Sequence, residues 1–399
     1  NVKRASKDIE VALVLDTTGS MAGQKIVDLR AAATELVNIV VKDQQEPFYT
    51  KAAIVPYSQA VNVGATYAND VRGAITSARN ISGASKANPA VITANNHGFT
   101  TGQRIVIRGV SGFNVSSGSS AGLNNNEYMV GTTTTNTFQL KTTSNGNVDT
   151  RTWTNYSSGG QVCLASGCAF TAFTNADGNR TNHNISTCVT ERTGANAFTD
   201  AAPSMAFLGR NYPGSSNPCQ PNVITPLSSD KNTLRTRISA LSASGSTGGH
   251  VGVAWGWYLV SPNFGYLFPS ASRGAAYGTR DLIKSVVLMT DGEYNSAYCN
   301  GVISQDSTVG SGSNAEKINC NAPNGHAFTQ ATQLCTNMKA AGVIVYTVGF
   351  QIVNDQRARD LVNNCASTPQ HVYLPSSGTE LRAAFRAIGQ DLSKLRISH

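Results

Sequence analysis

Five oxygen-bearing side chains, spread over three distant stretches, are of the types that hold a divalent cation. Asp16, Thr18 and Ser20 lie in the run DTTGS, Thr247 lies in GSTG (Gly245–Gly248), and Asp291 lies in TDG (Thr290–Gly292). Carboxylate and hydroxyl oxygens are hard donors, suited to Mg2+ and compatible with Mn2+ or Ca2+. Neutral hydroxyls leave much of the ion's charge uncompensated, and Mg2+ takes six oxygens. Such an ion favours an acidic side chain brought by a partner. No general base, nucleophile or leaving-group pocket accompanies these residues, so they point to binding and not to an enzyme. His250, three residues after Thr247, reads as a surface residue at a helix start, and Glu293 is close enough to Asp291 to neighbour a ligand. Each piece alone is common: an Asp after a strand is often only a helix N-cap, and TDG is a frequent turn. Their order and setting make the combination specific.

The setting is an alternation of strands and helices. Ile9–Leu15 (IEVALVL) is almost wholly apolar and β-branched, which predicts a strand buried on both faces. Lys25–Lys42 carries Ile26, Leu29, Ala33, Leu36, Val37 and Val40 at helical spacing, and Ala52–Tyr57 is a second strand, giving a βαβ unit. After a long interruption the pattern resumes with a short strand at Asn222–Leu227, helices at Asp230–Leu241 and Gly248–Leu259, and a central strand at Lys284–Thr290. A helix at His326–Ala341 stopped by Gly342, a strand at Val343–Gly349, a helix at Asp355–Cys365, a short strand at His371–Leu374 and a last helix at Thr379–Ser393 complete it. This predicts an α/β fold, doubly wound and Rossmann-like, around a mostly parallel sheet. All three oxygen-bearing stretches follow strands or precede helices, so they should meet at the carboxyl edge of that sheet, where such folds bind ligands.

With the order of the three motifs established, the chain resembles the von Willebrand factor A (vWA) family. That resemblance implies a metal-ion-dependent adhesion site with Thr18, Ser20 and Thr247 as hydroxyl ligands and Asp16 and Asp291 acting directly or through water. The family's usual first hydroxyl is Ser; Thr18 keeps the hydroxyl. DIEVALVLDTTGSM, TPLSSDKNTLRTRISAL, Leu334-Cys335, Lys339–Phe350, Leu361–Ser367, Leu381–Ile388 and the closing LSKLRIS are similar to TadG-like proteins of bacterial tight-adherence (Tad/Flp) pilus systems. Those are envelope proteins with an N-terminal membrane helix and a C-terminal vWA domain. The resemblance implies a role in pilus assembly or attachment, with pilus or cell-envelope components as partners.

The interruption has a different character. Ala90–Ala94, Arg104–Arg108, Glu127–Thr132 and Thr137–Lys141 are β-rich runs between Gly-, Asn- and Ser-rich turns, which predicts a small all-β module. The run Ile92–Gly112 and the later NTFQL look like modules of phage tail-fibre proteins, so the insert either displays an attachment surface or is a spacer. The expected division is a vWA first part at 1–82, the inserted module at 83–162, a cysteine-containing loop-rich extension at 163–221 and the vWA second part at 222–399. If the second strand runs toward the metal edge and Val223–Leu227 returns from it, an insertion in that hairpin should emerge beside the metal.

The eight cysteines are even in number and include no CxxC pair, which fits disulfides better than zinc. Neighbour pairing is the expectation, with Cys335–Cys365 foremost because both should lie on helices flanking one strand. Only 14% of residues are charged, while Ser, Thr, Asn and Gly abound, as suits an extracellular, cell-surface or periplasmic protein. The net charge of +8 comes from scattered residues such as Arg104, Arg108, Arg235 and Arg237, without the clustering that nucleic-acid binding needs. No run of 18 apolar residues occurs, so no membrane span is expected in this chain, and any leader or anchor would lie upstream of Asn1. The function expected is metal-dependent binding or adhesion. The alternatives are a structural subunit of an extracellular filament or pilus tip with a structural metal, and a chelatase-type accessory subunit, which would need reduced cysteines.

Overall fold

Every residue from Ile9 to Asp16 is buried, because the strand that holds them has a helical layer on each face. The computed structural model describes residues 6–116, 122–307 and 312–397, and the chain divides into two compact units. The first comprises residues 1–72, 186–313 and 320–399. Its sheet is built from β1 (Asp8–Asp16), β2 (Thr50–Tyr57), β3 (Thr225–Ser228), β4 (Leu282–Thr290), β5 (Ile344–Gly349) and β6 (Val372–Tyr373). Their order across the sheet is β3-β2-β1-β4-β5-β6. All neighbours are parallel except β3, which lies antiparallel to β2 with Thr225 opposite Ile54. The chain steps outward from β1 to β2 and β3, then returns to the other side of β1 as β4. That reversal makes a crevice at the carboxyl ends of β1 and β4.

Alternation along the strands sorts the side chains into two cores. Val11, Leu13 and Leu15 of β1 and Val287 and Met289 of β4 pack on α1 (Gln24–Val40) and later on α7 (Gly378–Ile397), through Leu29, Leu36, Phe385 and Ile388. The helix α3 (Lys231–Ser239) adds Leu234 and Ile238 to this layer; its N-cap Asp230 accepts the amides of Asn232 and Thr233. Ala12, Val14, Val286 and Leu288 point the other way, to α4 (Gly249–Val260), α5 (Ala327–Ala340) and α6 (Gln356–Cys365), with Val71 of the short α2 (Gly64–Arg72) joining that cluster. The stop signal at Gly342 operates as the sequence suggests, with a φ of 86°. The helix α2 was not foreseen: it is nine residues long and buries only Ala68, Val71 and Arg72, too few to establish a helical period.

Every residue of α4 is buried. Its glycines at 252 and 256 let the backbone sit close to the sheet: a methyl on Gly252 would come within 2.6 Å of the Tyr57 ring, and one on Gly256 would strike Val14; Gly249 makes the same room for the Tyr294 ring. This corrects the placing of His250 at the surface. The residue is fully buried, with Nε2 3.2 Å from Glu191 Oε2.

The second unit comprises Gly73–Ile185 and Asn314–Asn319. Its main sheet has seven strands in the order Arg79–Asn80, Tyr156–Leu164, Arg104–Gly112, Asn126–Thr133, Thr137–Lys141, Val91–Thr93 and Gly83–Ala84, with antiparallel pairing throughout. Ile105, Ile107, Phe113, Val130, Phe138 and Leu140 form its core. A hairpin pairs Phe170–Thr174 with Arg180–Asn184. The unit is thus longer than the stretch 83–162 marked by sequence. Residues 186–221 belong instead to the first unit, because Cys188–Thr190 pairs with Val61–Asn62 and with Gly209–Arg210.

The disulfides join neighbours in sequence: Cys163–Cys168, Cys188–Cys219, Cys299–Cys320 and Cys335–Cys365. The last links α5 to the end of α6, the helices before and after β5 in sequence, which share one face of the sheet. Among the described residues no helix is long and apolar enough to cross a membrane.

Candidate metal centre

Asp16 is the last residue of β1 and is wholly buried, so its carboxylate must be satisfied from within. Oδ1 accepts the Thr18 amide at 3.0 Å and the Thr18 hydroxyl at 2.6 Å. Oδ2 accepts the Tyr57 hydroxyl at 3.0 Å, the Thr290 hydroxyl at 3.1 Å and the Asp291 amide at 3.3 Å. The carboxylate therefore ties together the ends of β1, β2 and β4 and does not cap α1, which begins eight residues later at Gln24.

Ser20 is exposed, and its hydroxyl donates to Asp291 Oδ1 at 2.6 Å while lying 2.9 Å from the Thr18 hydroxyl. Four of the five residues singled out by sequence, namely Asp16, Thr18, Ser20 and Asp291, thus form one connected polar cluster. The fifth, Thr247, is on a loop held against the first: the Gly19 amide donates to the Gly245 carbonyl at 2.8 Å and the Ser244 amide to the Thr17 carbonyl at 2.9 Å. The Thr247 backbone is fixed by Asn295, whose side chain accepts its amide at 2.9 Å and whose own amide donates to its carbonyl at 2.9 Å.

The electrostatics fit a hard cation. Burial, and then the nearby Asp291 carboxylate, push the Asp16 carboxyl up to about 6. Two acids and two hydroxyls converge with too little positive charge between them, and an ammonium has already been drawn in: Lys25 Nζ stands 2.8 Å from Asp291 Oδ2. Among the described residues no group of three or more His, Cys, Asp or Glu side chains is arranged to hold a metal. The donors here are mostly hydroxyls, the set that suits Mg2+ better than a transition metal.

No protein-family model matches this chain, and no curated protein does. Solved structures show distant similarity. The vWF domain of the type V pili tip protein Mfa5 from Porphyromonas gingivalis is 9% identical, with a TM-score of 0.44, 99% of this chain covered and 97% of that one. The pilus adhesin SpaC from Lactobacillus rhamnosus GG is 11% identical, with a TM-score of 0.40 and 98% of this chain covered; this chain spans only 31% of its length. The PilB minor pilin from Streptococcus sanguinis is 11% identical at a TM-score of 0.39, with 99% and 63% covered. Similarity of this degree carries no argument about what the chain does.

Several residues around the cluster were not identified from sequence. Tyr57 and Thr290 hold Asp16 but sit in strands where an aromatic and a Thr are ordinary. Gln220 accepts the Thr17 hydroxyl at 2.8 Å and donates to the Pro56 carbonyl at 3.0 Å, while Asn217 accepts the Ser246 amide at 3.0 Å. Both flank Cys219, so the Cys188–Cys219 bridge anchors the segment that braces two of the three loops. Nothing local in the sequence marks them; the nearby cysteine was the only signal. Glu293 pairs with Arg357.

Proposed function

We propose that this chain carries a vWA-type domain whose adhesion site holds Mg2+, or Mn2+ or Ca2+, through Thr18, Ser20 and Thr247 with Asp16 and Asp291. It binds a protein partner that offers an acidic side chain to the ion. The observation that carries the reading is the cluster joining Asp16, Thr18, Ser20 and Asp291 at the switch point between β1 and β4. Where Asp16 and Asp291 act through water, the direct ligands Thr18, Ser20 and Thr247 are neutral, so a bound ion would keep an electropositive oxygen position for an outside carboxylate and supply the electrostatic attraction. The chain's residues do the rest. Asp16 fixes the loop, Tyr57 and Thr290 fix Asp16, and exposed Ser20 places the site at the surface.

The surrounding residues support binding and not catalysis. The nearest histidine in sequence, His250, lies in the first turn of α4, fully buried against Glu191, and cannot reach a substrate. Four disulfides favour an oxidising compartment, consistent with a protein of the cell envelope or surface. The resemblance of the chain's two outer parts to TadG-like proteins extends the proposal to a tight-adherence pilus system, in assembly or attachment.

The test is capture of envelope proteins on immobilised full-length chain, wild type and Asp16→Ala, each with Mg2+ and with EDTA. Retention of the same partner only by the wild type in Mg2+ supports the reading. Equal capture in all four conditions would rule out metal-dependent binding.

A further inference from the structure

Lys25, the second residue of α1, turns back over the site. Its ammonium lies 2.8 Å from Asp291 Oδ2, and Ser20 occupies the other oxygen at 2.6 Å. The Asp291 side chain is 2% exposed and that of Lys25 28%, so the acid is sealed while the base keeps a route to water. The ammonium is also 5.9 Å from the centre of the Phe350 ring. Phe350 is itself tied to the site strand, its amide donating to the Thr290 carbonyl at 2.8 Å. These contacts give the lysine one well-defined resting place, beside the acid that closes the cluster.

We infer that Lys25 is a tethered competitor of the metal: it neutralises Asp291 when no divalent ion is bound and is driven off when one binds, so that it sets the affinity of the site. The inference rests on the metal reading above. An ion held by Asp16, Asp291 and the hydroxyls would share Asp291 with the ammonium, which rests 2.8 Å from its Oδ2. At an effective dielectric of ~20 and a separation of ~5 Å, a double and a single positive charge repel by roughly ten times thermal energy. The two carboxylates offset part of that repulsion, and the remainder weakens the Lys25–Asp291 pair. The lysine has somewhere to go, because its stem is flexible and its head is strongly hydrated. Loading therefore exchanges an internal ion pair for an external ion, and the lost pair is subtracted from the binding free energy. The same residue protects the metal-free protein from an uncompensated buried carboxylate, so the site stays folded between partners.

Two substitutions separate charge from packing. Lys25→Met keeps most of the stem and removes the charge; Lys25→Arg keeps the charge. Full-length protein stripped with EDTA is titrated with MgCl2 by calorimetry at fixed ionic strength, beside wild type and Asp16→Ala. Lys25→Met should bind Mg2+ at least ~10-fold more tightly than wild type, Lys25→Arg within about twofold of it, and Asp16→Ala not at all. In EDTA, Lys25→Met should melt below wild type while Lys25→Arg does not. Mg2+ affinity that is unchanged or weaker in Lys25→Met overturns the inference and leaves the metal reading standing. Failure of every variant to bind Mg2+, or wild-type binding by Asp16→Ala, overturns the metal reading and this inference with it.

Discussion

Glu10 and Lys284 face each other in register across β1 and β4, with the ammonium 2.5 Å from Glu10 Oε2 and both side chains at most 5% exposed. The pair is fully furnished with partners. Lys284 also donates to the Val260 carbonyl at 2.7 Å, and Glu10 accepts the Tyr49 hydroxyl at 2.9 Å and the Ala275 amide at 3.0 Å. Burial lowers the Lys284 pKa and the Glu10 carboxylate opposes it. Removing one member strands the other charge, which in buried pairs costs about 3–5 kcal/mol. Glu10→Gln should therefore lower the unfolding free energy obtained from urea titration by that amount, and Glu10→Leu with Lys284→Met should recover most of the loss. Asp16 is six residues further along β1, roughly 20 Å at strand rise, so Mg2+ affinity should be untouched in whatever fraction stays folded. A Glu10→Gln protein as stable as wild type would mean that the pair holds little of the sheet. Neither residue drew notice in the sequence, since one Glu near the start of an apolar strand is an ordinary boundary residue. Pairing across strands 274 positions apart is invisible without the register.

At the scale of the element, α4 decides how the site is assembled. Its glycine spacing brings the helix onto Tyr57, and Tyr57 holds Asp16 Oδ2. Gly252→Ala forces a methyl to within 2.6 Å of that ring, an overpacking that typically costs about 1–3 kcal/mol. The expected result is a lower melting temperature together with weaker Mg2+ binding, because the ring can yield only by moving its hydroxyl away from Asp16. Loss of stability with unchanged Mg2+ affinity would separate the helix from the site. The elements that carry the motifs were legible because their signals are strong: an unbroken apolar run for β1, a helical period in α1, and TDG closing β4. What α4 does was not legible. The sequence GHVGVAWGWYLV shows that a helix is apolar all round, but not which of its glycines meets a strand. The bracing segment around Cys219 was illegible for another reason. Its residues act through side-chain contacts with partners 29 positions away for Asn217 and more than 160 for Gln220, and local patterning carries no trace of those.

The two units have separate hydrophobic cores. The clusters around β1 and β4 draw only on residues of the first unit, and the cluster of Ile105, Phe113 and Phe138 draws only on residues of the second. Sequence patterning marked the change of regime near residue 88, where helical periods give way to period-2 runs. It placed the far boundary too early for the hairpin Phe170–Thr174 with Arg180–Asn184, whose polar strands alternate weakly, and it assigned 186–221 to loops because strands of two or three residues have no detectable period. Separate cores imply separate cooperative melting, since a two-state transition needs one contiguous set of contacts. A ligand that binds one folded unit raises only that unit's transition, by about 2.7 kcal/mol of stabilisation at a hundredfold excess over its Kd. Scanning calorimetry of the intact chain should therefore resolve two transitions under non-reducing conditions. Mg2+ should shift the one that Glu10→Gln lowers, EDTA should reverse the shift, and the other transition should stay in place. A single transition that moves as a whole with Mg2+ would show that the cores melt as one. Movement of only the transition insensitive to Glu10→Gln would place the ion in the second unit, away from Asp16.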